Sequence, residues 1–354
     1  MSKTPAVLVC DARTGSLEIA GLTVLDRLVV TAHRAGCAPI LVDCGTAPPL
    51  ARAEALGISV SQSSDLVGSL PEPMLLIKDG VLLEVRDLEN VIAQGGQLVS
   101  AEGVLLPVRM TVDNPNPVVA GPLAMLIPDA ASAAEGERKF WASLTSTADG
   151  LLDRFFNRPV GRQLSKLLVR TPVSPNQVSV ISILIGLASA WFFARGNFVI
   201  GALVFQLCAI IDCVDGDLAR ALFKQSRLGK WLDLGGDQVV HFCVFAAIGI
   251  GVERLDPSVP ALALSASATL GVLLSFAVIV RALRQPIGQR RALLNRLLDA
   301  AANRDFSVLL LALAIFDRMD LFLWMAGIGI HVFWIALLVL QGGRATPALS
   351  RKPA

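Results

Sequence analysis

Residues 212–237 read DCVDGDLARALFKQSRLGKWLDLGGD. They sit where two long apolar runs, 197–218 and 234–252, approach each other. A run of about 20 apolar residues is long enough to cross a bilayer as a helix. Carboxylates in or beside such runs are costly, and by default they mark a functional site. Asp212 and Asp215 are three apart at the end of one helix, and Asp233 and Asp237 are four apart at the start of the next. Each pair therefore shares a helix face. The short connection makes the helices antiparallel neighbours, so four carboxylates are expected to converge in one cleft. Their mutual repulsion favours protonation unless cations compensate it. Oxygen donors without His or Cys suit Mg²⁺ or Mn²⁺ rather than zinc, and a two-metal site is expected. Such a metal pair suits phosphoryl chemistry: the metals neutralise a pyrophosphate and its leaving group, and a carboxylate activates the nucleophile.

The flanking residues fit a ligand cleft. Gly216 admits close backbone approach, Ala219 keeps the helix slim, Arg220 can pair with a phosphate, and Gly229 opens space before the second helix. Ion pairing of the aspartates with Arg220, Arg227 and Lys230 would balance charge but leaves the glycine spacing unexplained. A cation carrier would hold its carboxylates nearer the middle of the membrane.

The 354 residues suggest about two domains. Hydrophobic residues make up 54% and charged residues 17%, too apolar for an ordinary soluble enzyme. The surplus lies after about residue 175. Six spans are predicted, at 177–194, 197–218, 234–252, 259–280, 305–316 and 321–340. Before them, residues 151–170 mix Leu and Phe with Arg154, Arg158, Arg162, Lys166 and Arg170, a basic amphipathic helix suited to an anionic membrane surface. Basic residues crowd this segment, the loops at 220–230 and 281–304, and the tail, whereas the opposite loops carry Arg195, Arg254 and Arg318. That asymmetry predicts cytoplasmic N and C termini, an even number of spans and a cytoplasmic active site. The net charge of +2 gives no reason to expect a nucleic-acid partner. The six cysteines form no CxxC pair and read as reduced, buried thiols, with Cys213 a filler inside the acidic stretch.

The N-terminal part alternates differently. PAVLVC (5–10), APILVDC (38–44) and EPMLLIKDG (72–80) read as strands, and 21–36, 51–57 and 89–96 as helices. This pattern predicts a soluble α/β domain of Rossmann type with a mainly parallel sheet over 1–126. A connector follows at 127–149, then a membrane domain at 150–342 and a tail at 343–354. The opening run MSKTPAVLVCDARTGS is too short in apolar residues for a secretory signal, so this domain is expected in the cytoplasm.

Read as D-x2-D-G-x2-A-R-x8-G-x3-D-x3-D, the stretch from Asp212 to Asp237 resembles the signature of the CDP-alcohol phosphotransferase (CDP-alcohol phosphatidyltransferase) family. SPNQVS at 174–179 is similar to that family's motif at the head of the first span, with Asn176 in the expected place. The resemblance implies metal ligation by Asp212, Asp215, Asp233 and Asp237, with Asp237 also the base for the acceptor hydroxyl. It implies a CDP site shaped by Asn176, Gly216, Ala219, Arg220 and Gly229, a CDP-alcohol donor, release of CMP, and a homodimer in membrane lipid. The strand–helix–strand opening, with GLTVLDRLVVTAHRAG and LVDCG, resembles nucleotidyltransferases. Active members carry a Gly-rich basic loop after the first strand, but here that loop is DARTGS, so a degenerate domain is expected, and Asp79 is only a weak match to their metal-binding aspartate. The joined arrangement resembles the bifunctional inositol-phosphate cytidylyltransferase/di-myo-inositol phosphate phosphate synthase proteins, which implies an inositol phosphate acceptor.

Two other functions are weighed against this one: a CDP-diacylglycerol-dependent phosphatidyltransferase of phospholipid synthesis, and a non-catalytic membrane protein or cation carrier with an acidic metal site. Arg281, Arg284, Arg304 and His241 are candidate contacts for a polar or phosphorylated acceptor. Against them stands the simple bias of basic residues toward the cytoplasmic side. His331 is expected to be a hydrogen-bonded packing residue.

Overall fold

The structure, a computed structural model, describes residues 3–62, 72–78, 80–145, 153–284 and 306–342. The chain forms two compact units, Met1–Leu144 with Arg220–Lys224, and Thr145–Ala219 with Gln225–Ala354.

In the first unit the strands of the main sheet are β1 (Thr4–Val9), β2 (Cys37–Asp43), β3 (Val60–Gln62), β4 (Leu75–Lys78), β5 (Gly96–Val99), β6 (Leu105–Met110) and β7 (Asn116–Val119). They form one sheet in the order β7-β5-β6-β4-β1-β2-β3. β1 pairs in parallel with β2 and β4, and β2–β3 and β5–β7 are parallel too. β6 runs antiparallel to β4 and β5, so the mainly parallel sheet expected from the sequence carries one reversed strand. Ala6, Val7 and Leu8 are buried in succession rather than alternately, as befits a central parallel strand covered on both faces.

The helices of this unit are α1 (Val24–Arg34), α2 (Ala51–Ala55), α3 (Val85–Gln94) and α4 (Ala130–Ser143). Thr23 caps α1 by accepting from Asp26 N at 3.2 Å. The Asp26 carboxylate in turn accepts from Arg52 N (2.7 Å) and Ala53 N (2.9 Å), tying the start of α2 to α1. Burial pushes the Asp26 carboxyl up from its usual range, against the pull of those two N–H groups. α3 begins earlier than the sequence suggests because Glu84 and Asp87 close a capping box. Residues 130–143 of the expected connector are helical. Asp129 caps α4, which buries Phe140 and Trp141. Of the residues that looked like a linker, the charged ones lie on its outer face, while Ala133 and Gly136 are buried with the two aromatic rings.

Arg27 is buried within this unit, and burial lowers its pKa to about 10. Its Nη2 donates to Ile19 O (2.8 Å) and Ala221 O (3.1 Å), and its guanidinium lies over the Phe140 ring at 4.7 Å. Arg34 and Arg52 both donate to Phe223 O, at 3.0 and 2.8 Å, and Phe223 holds a left-handed φ of 52°. Three arginines thus fix the short segment that follows Arg220.

The second unit opens with a π-helical turn, Asp153–Asn157, running into α5 (Arg158–Leu168). The long helices follow: α6 (Pro175–Ala194), α7 (Phe198–Ala221), α8 (Arg227–Leu255) and α9 (Ala261–Leu283). After them come the ten-residue α10 (Phe306–Ile315) and α11 (Met319–Gly342). Five of these, α6 to α9 and α11, are long and apolar enough to cross a membrane among the described residues. The fifth predicted span corresponds to α10, which is too short to cross alone.

The segment 153–168 is inside out for a water-exposed helix. Asp153, Asn157, Gly161 and Ser165 are buried, while Phe155, Phe156, Val160 and Leu167 are exposed. Its polar face seats on α7. Arg158 pairs with the fully buried Asp217 at 3.3 Å, Gln206 donates to Asn157, and a Cβ at Gly161 would lie 3.0 Å from Ile210 O. Small residues bring the long helices together, as in membrane bundles generally. A Cβ on Gly236 of α8 would lie 2.3 Å from Ile183 Cδ1 of α6, and one on Gly249 would lie 2.2 Å from Ser265 Cβ of α9.

Candidate active site

The site is built on α6, α7 and α8. Ser174 caps α6 in a capping box with Gln177, and Pro175 takes the first helical position, where its missing N–H costs nothing. Asn176, Ser179, Ile183 and Gly186 then follow at spacings of three, four and three, a single stripe along the helix. The stripe is the seam of the bundle. Asn176 Oδ1 lies 3.0 Å from where a Cβ on Gly229 of α8 would sit, Ser179 donates to Asp215 of α7, Ile183 fills the notch at Gly236, and Gly186 faces Val240 of α8.

Asp212, Asp215 and Asp233 each bring a carboxylate oxygen within 4.8 Å of the other two. Asp215 is buried, Asp212 half-buried and Asp233 exposed, so the group opens outward on the α8 side. Asp237 lies one turn further along α8, half-buried and outside this group of three. The sequence placed four carboxylates in one metal cradle, and the structure brings three of them together. Three carboxylates, with no imidazole or thiolate among them, fit a hard divalent cation such as Mg²⁺ or Mn²⁺. Cys213 does not join them. Its Cβ lies 3.4 Å from the position a Cβ on Gly161 would take, on the α5 side of α7.

Gly216 and Ala219 lie on α7 between the acids and Arg220, which is half-buried in its last turn. Gly229 is the third residue of α8, and its N–H is capped by Ser226 Oγ at 2.9 Å. Because Asn176 Oδ1 and Ser226 Oγ lie 3.0 and 3.1 Å from its missing Cβ, Gly229→Ala is expected to push the Asn176 amide aside. A several-fold rise in the KM for a CDP-alcohol, with the unfolding temperature held within a few degrees, would show it.

Among the candidate acceptor contacts, Arg281 and Arg284 are exposed at the end of α9. His241 packs among rings, with centroids 5.2 Å from Phe306, 6.2 Å from Phe205 and 6.4 Å from Phe245. Arg304, like Arg290, Arg291, Arg296 and Asp79, lies outside the described residues. His331 accepts at Nδ1 from Trp334 Nε1 (2.9 Å), which leaves Nε2 to carry the proton toward Ser267, a packing role as expected. Sequence reasoning missed Ser179 and Asp217. Ser179 was signalled by its three-residue spacing from Asn176. Asp217 sits two residues from Asp215, off the metal-facing side, and so gave no such signal.

Residues 172–340 match the family model described as CDP-alcohol phosphatidyltransferase, so this part of the chain is a domain of that transferase family. With five membrane-length helices, the chain is a multi-pass membrane protein. The "Bifunctional IPC transferase and DIPP synthase" of Thermococcus kodakarensis is 36% identical over 91 residues, 26% of this chain and 21% of that protein. The archaetidylinositol phosphate synthase of Pyrococcus horikoshii is 30% identical over 89 residues, 25% of this chain and 47% of that one. The phosphatidylinositol phosphate synthase of Streptomyces avermitilis is 35% identical over 97 residues, 27% and 39%. The matches span between 21% and 26% of the length of the bifunctional relatives. Among solved structures, Mycobacterium tuberculosis phosphatidylinositol phosphate synthase with CDP-DAG bound aligns at 17% identity and a TM-score of 0.40. That alignment covers 56% of this chain and 99% of that one. The same protein in complex with manganese and citrate aligns at 19% and 0.39, covering 54% and 92%.

Proposed function

We propose that this chain is an integral-membrane CDP-alcohol phosphotransferase that moves a substituted phosphate to a hydroxyl of an inositol phosphate, releasing CMP. The observation that carries this reading is the meeting of Asp212, Asp215 and Asp233 within a domain of that family. Mg²⁺ or Mn²⁺ held by those three would neutralise the pyrophosphate of the donor and the CMP that leaves. Asp237, beside that group but not within it, takes the proton from the acceptor hydroxyl. The hydroxyl oxygen forms a bond to the β-phosphorus, and the bond from that phosphorus to the CMP oxygen breaks. Asn176 and Gly229 border the CDP subsite, and Arg220 meets its phosphates.

The inositol phosphate acceptor is supported by the names of the relatives, which include phosphatidylinositol phosphate and archaetidylinositol phosphate synthases. The donor is separated by product. Incubation with inositol 1-phosphate, Mg²⁺ and either CDP-diacylglycerol or CDP-inositol yields a lipid-extractable product in the first case and a water-soluble one in the second. CMP formed in equal amount supports the reading, and no CMP from either donor sinks it. The exposed apolar face of 153–168 supports a position for that segment at the membrane surface, and the bias of the basic loops supports a cytoplasmic side for the acids. A homodimer and a sixth crossing at 305–316 belong to the same proposal.

The first unit is a nucleotidyltransferase-like domain without a working phosphate loop. β1 has a parallel neighbour on each side, and such a switch point is where α/β sheets bind ligands at their carboxyl ends. Here DARTGS folds into a helical turn, Ala12–Gly15, capped by Asp11. Gly80 fits closely against it, with Thr14 Cβ 3.3 Å and Ile127 O 2.9 Å from its missing Cβ. That close packing supports a loop that no longer holds a triphosphate. No pyrophosphate above background is expected from CTP and inositol 1-phosphate.

A further inference from the structure

Several groups outside the three carboxylates have evident structural roles. The buried Asp217 is paired with Arg158, His331 is held between Ser267 and Trp334, and Cys10 and Cys44 are buried thiols. Ser179 is different. It is a buried hydroxyl aimed at one of the three grouped carboxylates, and the reaction as described above gives it no part.

We infer that Ser179 is a positioning residue for the metal site, holding Asp215 in its metal-binding orientation. This rests on the metal-site reading of Asp212, Asp215 and Asp233 given above. Ser179 lies on α6 one turn past its cap and is buried. Its hydroxyl donates to Asp215 Oδ2 and lies 3.2 Å from Pro175 O, the helix carbonyl one turn back. The hydroxyl carries one proton, and the charged carboxylate is the stronger acceptor of the two. Asp215 comes from a different helix, so this bond ties α6 to α7 at the acid that is most buried of the three. A carboxylate on a rotatable side chain must otherwise be ordered at the moment it binds a cation. A fixed donor on one oxygen settles that order beforehand. Partners in this outer position commonly change metal affinity by about 10- to 100-fold when removed. Asn176 and Ser179 share one face of α6, so the residue bordering Gly229 and the residue holding Asp215 move as one body.

The test is a Mn²⁺ titration of the detergent-solubilised full chain, followed by the electron paramagnetic resonance signal of free Mn²⁺. It compares wild type, Ser179→Ala, Ser179→Thr and Asp215→Asn, with unfolding temperatures recorded without metal. Wild type should bind Mn²⁺ and Asp215→Asn should lose that binding. Ser179→Ala should weaken it about 10- to 100-fold with an unchanged unfolding temperature. Ser179→Thr, which keeps the hydroxyl, should return to within about threefold of wild type. Ser179→Ala binding as tightly as wild type overturns the inference, as does Ser179→Thr binding as weakly as Ser179→Ala. If wild type binds no Mn²⁺ that Asp215→Asn removes, the metal-site reading falls, and this inference with it.

Discussion

Replacing Asp237 with Asn is expected to cut CMP release by about 10²- to 10⁴-fold, the range a positioned general base contributes. The same variant should keep its Mn²⁺ affinity within a few-fold. The two expectations part because Asp237 lies outside the group in which Asp212, Asp215 and Asp233 meet within 4.8 Å. The amide retains the shape and size of the carboxyl group but cannot accept the hydroxyl proton. A turnover assay at saturating metal, run beside the Mn²⁺ titration, separates the two roles. Loss of both activity and metal affinity would make Asp237 a ligand first and a base second.

The largest expected effect on stability comes from Gly251→Ala. A Cβ there would lie 2.1 Å from the carbonyl oxygen of Phe193 and 2.9 Å from Phe198 Cε1. Side chains can swing away from an added methyl group, but a helix carbonyl cannot. Phe193 is fully buried, and its carbonyl already accepts from Gly196 N at 2.9 Å. To make room, α8 must move off α6. Overpacking costs about 1–3 kcal/mol where side chains yield, and backbone contact belongs at the upper end. For a unit of this size about 3 kcal/mol corresponds to roughly 6–12 °C in unfolding temperature. The control is Gly329→Ala on α11, where an added Cβ meets nothing within 4 Å. It should be neutral or slightly stabilising, since alanine is the better helix former. Equal melting of the two variants would show that α6 and α8 do not pack as described.

Much of this was legible in the sequence because its signals are local. Spacings of three and four put Asp212 with Asp215 and Asp233 with Asp237 on shared faces, and a stretch of strand–helix alternation separated the α/β fold from the apolar helices. What stayed hidden depends on contacts across the chain. Its three-residue spacing from Asn176 is the one local signal Ser179 gives, and its partner shows only when α7 brings Asp215 to it. Asp217 reads as one more acid in the motif, yet its pairing with Arg158 serves to seat α5. Arg27, Arg34 and Arg52 carry no motif in the sequence, and their bonds to Ala221 and Phe223 show only in the fold. The helix over 130–143 was hidden for a related reason. AASAAEGERKFWAS is small and charged in composition, but its two aromatic residues at the end need a core to bury them, and the first unit supplies it. The separation of Asp237 from the other three acids is likewise a matter of how α7 and α8 face each other, which four-residue spacing does not determine.

The central claim is that the three grouped carboxylates support transfer of a phosphate from a CDP-alcohol. It is tested most directly by CMP release from the purified full chain with Mg²⁺, a CDP-alcohol and inositol 1-phosphate, wild type against Asp215→Asn. The account predicts CMP from wild type only when both metal and acceptor are present, matched by a new phosphodiester, and none above background from Asp215→Asn. CMP release by Asp215→Asn at the wild-type rate would contradict it.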